Sequence, residues 1–317
     1  MLNFFRFRSN SANENPKDEV EEAEVETAEE VQPKKVTHED LIAYREALNR
    51  LDAATCEAMA VGQHTANRLV APTIGYSTHV SARMSMNAQQ ILCALPKTRW
   101  VKRDFDTWDI SAIAPFARSI LEGYLLFRYL IDAPTDKNIQ RLYVQVMHMY
   151  DCKRRQDILK HELSEASKTW FVEQESEIRS RLESMPDFTA LSPKTQKNLL
   201  QGKHLMITER SELISAIGLD QNEFDKMWNY LSQYSHMFSF TFYRVEANGR
   251  GTGLLNPADI DALTSVTNFA SSLIEDTTNH IVEIFPDAQS ERNGINSKFA
   301  PGPSKNLPRH MKRKRKP

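Results

Sequence analysis

Ser111-Ala-Ile-Ala-Pro-Phe-Ala-Arg-Ser-Ile-Leu-Glu-Gly-Tyr-Leu-Leu-Phe-Arg-Tyr-Leu-Ile131 is the most apolar stretch of the chain, and its period decides the fold class. At 100° per residue, Ile113, Phe116, Ala117, Ile120, Leu121, Tyr124 and Phe127 cover one broad side. Arg118, Ser119, Glu122 and Gly123 gather on the other, with Tyr129 in line above them. Alternation at period two is absent. The stretch is a helix with a wide apolar face, and such a face requires other helices to cover it.

The same helical period continues outward in both directions. Thr37 and Asp40 form an N-cap signal for a helix running to about Leu69, where Pro72 breaks it. Helices are predicted at about 75–95, 136–164 and 166–184, with shorter ones near 193–201 and 208–217. Between the second and third helices, 97–108 reads as a loop whose Trp100, Phe105 and Trp108 pack onto the body. Asp220 and Glu223 open a helix to about Tyr243 that buries Phe224, Met227, Leu231, Phe238 and Phe242. Pro257 starts a last long helix to Phe285. The expectation is an all-α, irregular bundle of about eight helices spanning 37–286.

Composition agrees. Only 10 of 317 residues are glycine, well below the average of roughly 7%, which disfavours folds built on tight turns and phosphate loops. Three widely spaced cysteines, Cys56, Cys93 and Cys152, exclude a disulfide framework and fit a reducing, cytoplasmic compartment. No apolar run reaches the length of a membrane span, and Met1–Asn10 lacks the apolar centre of a signal peptide. Formal charge is near balance, with 40 Lys+Arg against 42 Asp+Glu, yet it is segregated. Residues 1–36 hold nine acids and five bases and read as a disordered acidic leader. Residues 287–317 read as a disordered tail, basic from Lys298 onward, with Lys312, Arg313, Lys314, Arg315 and Lys316 placed to meet nucleic acid or an anionic surface.

Polar groups on the helices are the places for chemistry. Arg118 and Glu122 are four apart and therefore neighbours. They form either a surface pair or one wall of a polar site in which a fixed guanidinium binds an anion. His236, on a line with Asn229, Gln233 and Phe240, is either simply exposed or faces the Arg118/Glu122 line across a cleft. The latter would place a titratable base beside a cation and a carboxylate.

Ala117-Arg-Ser-Ile-Leu-Glu122, with Tyr124 to Tyr129 behind it, resembles the signature helix of an uncharacterised, mostly bacterial family of all-helical proteins. Tyr230-Leu-Ser-Gln-Tyr-Ser-His236 resembles that family's second block, a Tyr/Ser stretch ending in His. The resemblance covers about 100–245 and implies that Arg118, Glu122 and His236 belong to one site. A second resemblance is to helical RNases of the HEPN type, which carry Arg and, after four to six intervening residues, His on one helix. Arg141 and His148 fit that spacing, as do Arg154 or Arg155 with His161. Arg141, Gln145, His148 and Cys152 are expected to share a polar face. This resemblance implies a metal-independent endoribonuclease in stress or phage defence, with Arg141 and His148 as its catalytic pair.

Other chemistries lack their residues. No acid stands three before any of the nine histidines, and no His-x-x-x-His or H-E-x-x-H occurs, so no metal site is expected. The run Gly249-Arg-Gly-Thr-Gly253 lacks the preceding strand of a phosphate loop and reads as an interhelical turn. No cofactor is expected. The leading expectation is a soluble, cytoplasmic, non-enzymatic interaction or regulatory protein, with homodimerisation a common state for such bodies. In it, Arg118, Glu122 and His236 organise the fold or bind a small anion. The RNase is the alternative, and a nucleic-acid-associated protein acting through its basic tail is a third reading.

Overall fold

The computed structural model describes residues 35–242 except 237, and 250–300. Eleven α-helices account for most of the described residues, and no strand longer than an isolated bridge occurs among them. The order is α1 His38–Thr65, α2 Pro72–Ala94, α3 Ala114–Ile131, α4 Lys137–Leu159, α5 Glu165–Glu183 and α6 Pro186–Thr189. Then follow α7 Pro193–Leu200, α8 Arg210–Ala216, α9 Gln221–Ser235, α10 Ser239–Phe242 and α11 Pro257–Ile284. The expected all-α bundle is what the structure shows.

Local chemistry explains the starts and stops. Thr37 caps α1 in a reciprocal capping box with Asp40. Pro72 opens α2 instead of merely ending α1, since its missing N–H costs nothing in a first turn. Asp136, Ser164, Ser192, Asp220 and Asn256 each cap a helix through a side-chain oxygen. Gly202 ends α7 at φ +63, with its N–H bonded to Leu199 O and that of Lys203 to Asn198 O, both at 3.0 Å. That is a Schellman closure. A Cβ at Gly202 would lie 2.6 Å from Lys153 Cβ, so the position excludes any side chain.

Two apolar cores result. The larger joins α1, α2, α3, α9 and α11, with Ile113, Ala117, Ile120, Leu121, Phe127 and Leu130 of α3 at its centre. The smaller lies among α4, α5, α6 and α7 around Val146, Met149, Cys152, Leu182 and Phe188. In the 97–108 loop, Trp108 is buried and Trp100 packs on the core, but Phe105 is 78% exposed. Trp108 N donates to Gly253 O at 2.9 Å, a single bridge that closes the loop over the body.

Three expectations need correcting. The helix from Asp220 does not run unbroken to Tyr243. It stops at Ser235: His236 leaves helical geometry at φ −116, ψ 9, and the Phe238 N–H turns back onto Gln233 O at 3.3 Å. Phe238 and Phe242, placed in the core by an unbroken period, are therefore half exposed.

The ordered body also extends past 286. Pro286–Glu291 and Gly294–Asn296 are 3-10 turns that strap residues 286–300 across α1. Arg292 pairs with Glu57 at 2.8 Å, Arg68 with Asp287 at 2.5 Å, and Phe299 is buried against Trp100. Residues 1–34 of the acidic leader, and Lys312, Arg313, Lys314, Arg315 and Lys316, lie outside the described residues.

Finally, Cys152 sits in the smaller core, not on a polar face with Arg141, Gln145 and His148. His161 lies beyond the end of α4, so neither Arg154 nor Arg155 shares a helix with it.

Candidate functional site

Polar clusters sit at several helix junctions among the described residues. The first is where α3 crosses α9. Arg118 donates through Nε to Glu122 Oε1 at 3.0 Å, through Nη1 to Ser232 Oγ, and lays its guanidinium carbon 4.2 Å from the Trp228 ring centre. Arg210 covers the same ring at 4.8 Å, so Trp228 is flanked by two cations. The Arg118 side chain is 17% exposed while Glu122 is 48% exposed. The guanidinium is thus engaged in three directions inside a helix junction, and only the carboxylate faces water.

His236 does not join it. It caps the C-terminal end of α9 through its backbone, is exposed, and sets its ring 5.6 Å from that of Phe238. Among the described residues no hydrogen bond or ion pair links it to Arg118 or Glu122. The partner of Arg118 is Ser232, one turn earlier and on a neighbouring line of the same helix.

The second cluster lies between α4 and the α5–α6 corner. Asn138, Arg141 and Gln145 of α4 face Arg181 of α5, and Ser184 and Asp187 beyond it, across a cleft of about 280 Å³. Arg141 makes no hydrogen bond or ion pair among the described residues, whereas Arg181 is paired with Glu177. Gln145 Oε1 is buried without a partner, a costly state for an amide oxygen. His148, two turns along α4 from Arg141, does not line the cleft. Its Nε2 lies 3.0 Å from the Tyr76 hydroxyl. Burial, and then the charge of Arg181, push its pKa below the ordinary value, which favours the neutral ring.

In the third cluster the pair of Arg128 and Asp132 is local to α3, and the link to α11 is not. Tyr124 of α3 donates to Asp276 of α11 at 2.7 Å, and Arg128 donates to the Tyr124 oxygen at 2.9 Å and to Asp132 at 2.7 Å. His280 adds a contact to Asp276 at 3.4 Å. Burial raises the Asp276 pKa, but hydrogen bonds from His280 and Tyr124 outweigh it and hold the carboxyl below its ordinary range. The hydrogen bond to Asp276 raises His280. The partners stand 152 residues apart in sequence, so no local pattern marks them.

Comparison of the chain with known protein families, with curated proteins and with solved structures returns no match. The likenesses to a bacterial all-helical family and to HEPN-type RNases therefore rest on the quoted residues alone.

Two further observations delimit the chemistry. Among the described residues no group of three or more His, Cys, Asp or Glu side chains is placed to hold a metal, and no helix is long and apolar enough to cross a membrane. The Gly249–Gly253 turn is described only from Arg250 onward. There the Gly251 N–H donates to Asp259 at 2.9 Å, so this amide is occupied by a carboxylate of the same chain.

Proposed function

We propose that this protein is a non-enzymatic, cytoplasmic helical protein that binds a small phosphate-type anion between α4 and α5–α6, and that the Arg118 cluster organises its fold. One observation carries the reading. Arg141 has no partner among the described residues, yet it lines a cleft whose opposite wall holds a second guanidinium, Arg181. Asp187 also lines the cleft, so its charged groups sum to a net positive charge. A hydrogen phosphate supplies oxygens for both arginines and a hydroxyl for the orphaned Gln145 Oε1. Arg118, by contrast, is held inside a helix junction by Glu122, Ser232 and Trp228, with its side chain only 17% exposed, which leaves it little access to a ligand of its own. Three free cysteines fit the cytoplasm.

Titration with inorganic phosphate, followed by calorimetry, tests this. Arg141→Gln and Arg181→Gln should each weaken binding by about tenfold or more, the scale of a charge-assisted hydrogen bond. Unchanged affinity in both variants would contradict it.

A second reading, the HEPN-like endoribonuclease, is favoured by one specific observation. His148 shares α4 with Arg141 and is held by Tyr76 in a setting that favours a neutral ring, the state of a general base. RNA cleavage by the purified protein that His148→Ala abolishes would decide for this reading. Absence of cleavage decides for the first. The basic tail acting on nucleic acid, the homodimer and the placement of Arg118 and Glu122 with His236 in one ligand site add no observation to either.

A further inference from the structure

A second cavity, of about 320 Å³, opens between α2, α3 and α4. Val80, Met84, Leu126 and Met147 wall it, and Gly123 sets its depth. A Cβ on Gly123 would stand 2.8 Å from Met84 Cγ, so the missing side chain here is what lets Met84 lie against α3. Small-molecule sites span roughly 300–1,000 Å³ and combine apolar walls with a few polar groups. This cavity is at the small end of that range.

Its mouth has a single sign of charge. Arg83, His79 and Asn87 of α2 and Ser119 of α3 ring the opening, and no Asp or Glu lines it. The Arg83 guanidinium is exposed and its described contact is with Met86 Sδ at 3.7 Å, with no carboxylate paired to it among the described residues. Ser119 spends its hydroxyl proton on the Pro115 carbonyl at 2.9 Å. A guanidinium presents paired donors that match the two oxygens of a carboxylate, and one unpaired cation above an apolar pit is complementary to an anion with a short hydrocarbon body.

We infer that this cavity binds a medium-chain aliphatic carboxylate, with the chain against Val80, Met84, Leu126 and Met147 and the carboxylate on Arg83. Neither the α4–α5 cleft nor the Arg118 junction takes part, so the inference stands apart from the phosphate reading.

Octanoate, octanol and acetate titrated into the full chain by calorimetry test it. Octanoate should bind, octanol more weakly, and acetate not measurably. Arg83→Gln should weaken octanoate by about tenfold or more and leave octanol unchanged. Val80→Trp, which fills the pit, should abolish both while circular dichroism shows the helices retained. Failure of octanoate to bind at millimolar concentration, or equal affinity of octanoate for native and Arg83→Gln chains, would overturn the proposal. Sedimentation in the same solutions reads the rival occupant: a dimer that octanoate dissociates would assign the groove to a second copy of the chain and overturn the ligand site.

Discussion

The guanidinium carbon of Arg118 lies 4.2 Å from the centre of the Trp228 ring, and the same side chain donates to Ser232 one turn further along α9. One arginine thus holds α3 against α9 by stacking, by hydrogen bonding and, through Glu122, by its own orientation. Arg118→Ala should cost about 2 kcal/mol of stability, the combined scale of a charged hydrogen bond and a cation–π contact. Arg118→Lys should recover only part of it, because an ammonium cannot serve these directions as a planar fork does. Urea unfolding of the three chains checks this, and equal stabilities would refute the clamp.

Asp52 is buried and receives Arg99 through Nε at 2.5 Å and Nη2 at 2.8 Å, with Trp100 Nε1 at 2.9 Å. Asp52→Ala leaves Arg99 uncompensated and should cost about 3–5 kcal/mol. Replacing both, as Asp52→Leu with Arg99→Met, should cost much less than Asp52→Ala alone. Urea unfolding of the single and double variants measures the difference.

The strap 286–300 gives a sharper test of where the folded body ends. A chain ending after Ala300 should melt with the full-length protein. One ending after Phe285 loses Ala288, the Arg292–Glu57 pair and the Phe299–Trp100 stack, and should melt well below it. Phe299→Ala alone should cost about 3 kcal/mol. Calorimetric melting of these chains separates a packed strap from a passive tail.

Stability should vary with pH through Asp276 and His280. Asp276 is held below its ordinary value of 3.8. Its contribution is therefore present above 3.8 and lost as pH falls through the lower folded value. His280 is raised above 6.5. Its contribution is full below 6.5 and lost as pH rises through the higher folded value. The pair therefore stabilises most between 3.8 and 6.5. His280→Gln should flatten the alkaline decline in melting temperature between about pH 6 and about pH 8, and an unchanged slope would count against the linkage.

Thiol chemistry separates the cysteines. Burial, and then the negative charge of Asp52, push the Cys56 pKa up to about 12, so it should stay silent to iodoacetamide in the folded chain. Cys152 is enclosed in the smaller core, and Cys93 is the least buried of the three. Mass spectrometry of the briefly alkylated native protein should find the label first on Cys93.

Much of this architecture was legible in the chain because helical burial repeats at short range. The apolar side of Ser111–Ile131, the Thr37–Asp40 cap and the starts at Asp220 and Pro257 all follow from neighbours within a turn. What escaped depends on distance or irregularity. The strap has no period, since 3-10 turns around Pro286 and Gly294 bury isolated residues such as Ala288 and Phe299. The break at His236, where the backbone leaves helical geometry and the Phe238 N–H turns back onto Gln233 O, has no period for a wheel to register. The polar line of Asn229, Gln233 and His236 is not what Arg118 meets on α9; its partner there is Ser232. The Tyr124–Asp276 bond joins helices that only the tertiary fold brings together.

Phosphate binding measured side by side on Arg118→Gln and on the double variant Arg141→Gln/Arg181→Gln separates a structural arginine from a ligand-binding pair. Below its melting temperature, the Arg118→Gln chain should bind phosphate as the native protein does while unfolding at lower urea. The double variant should lose binding with its stability intact. Loss of binding in folded Arg118→Gln, with binding retained in the double variant, would contradict this assignment and return the anion site to the α3–α9 junction.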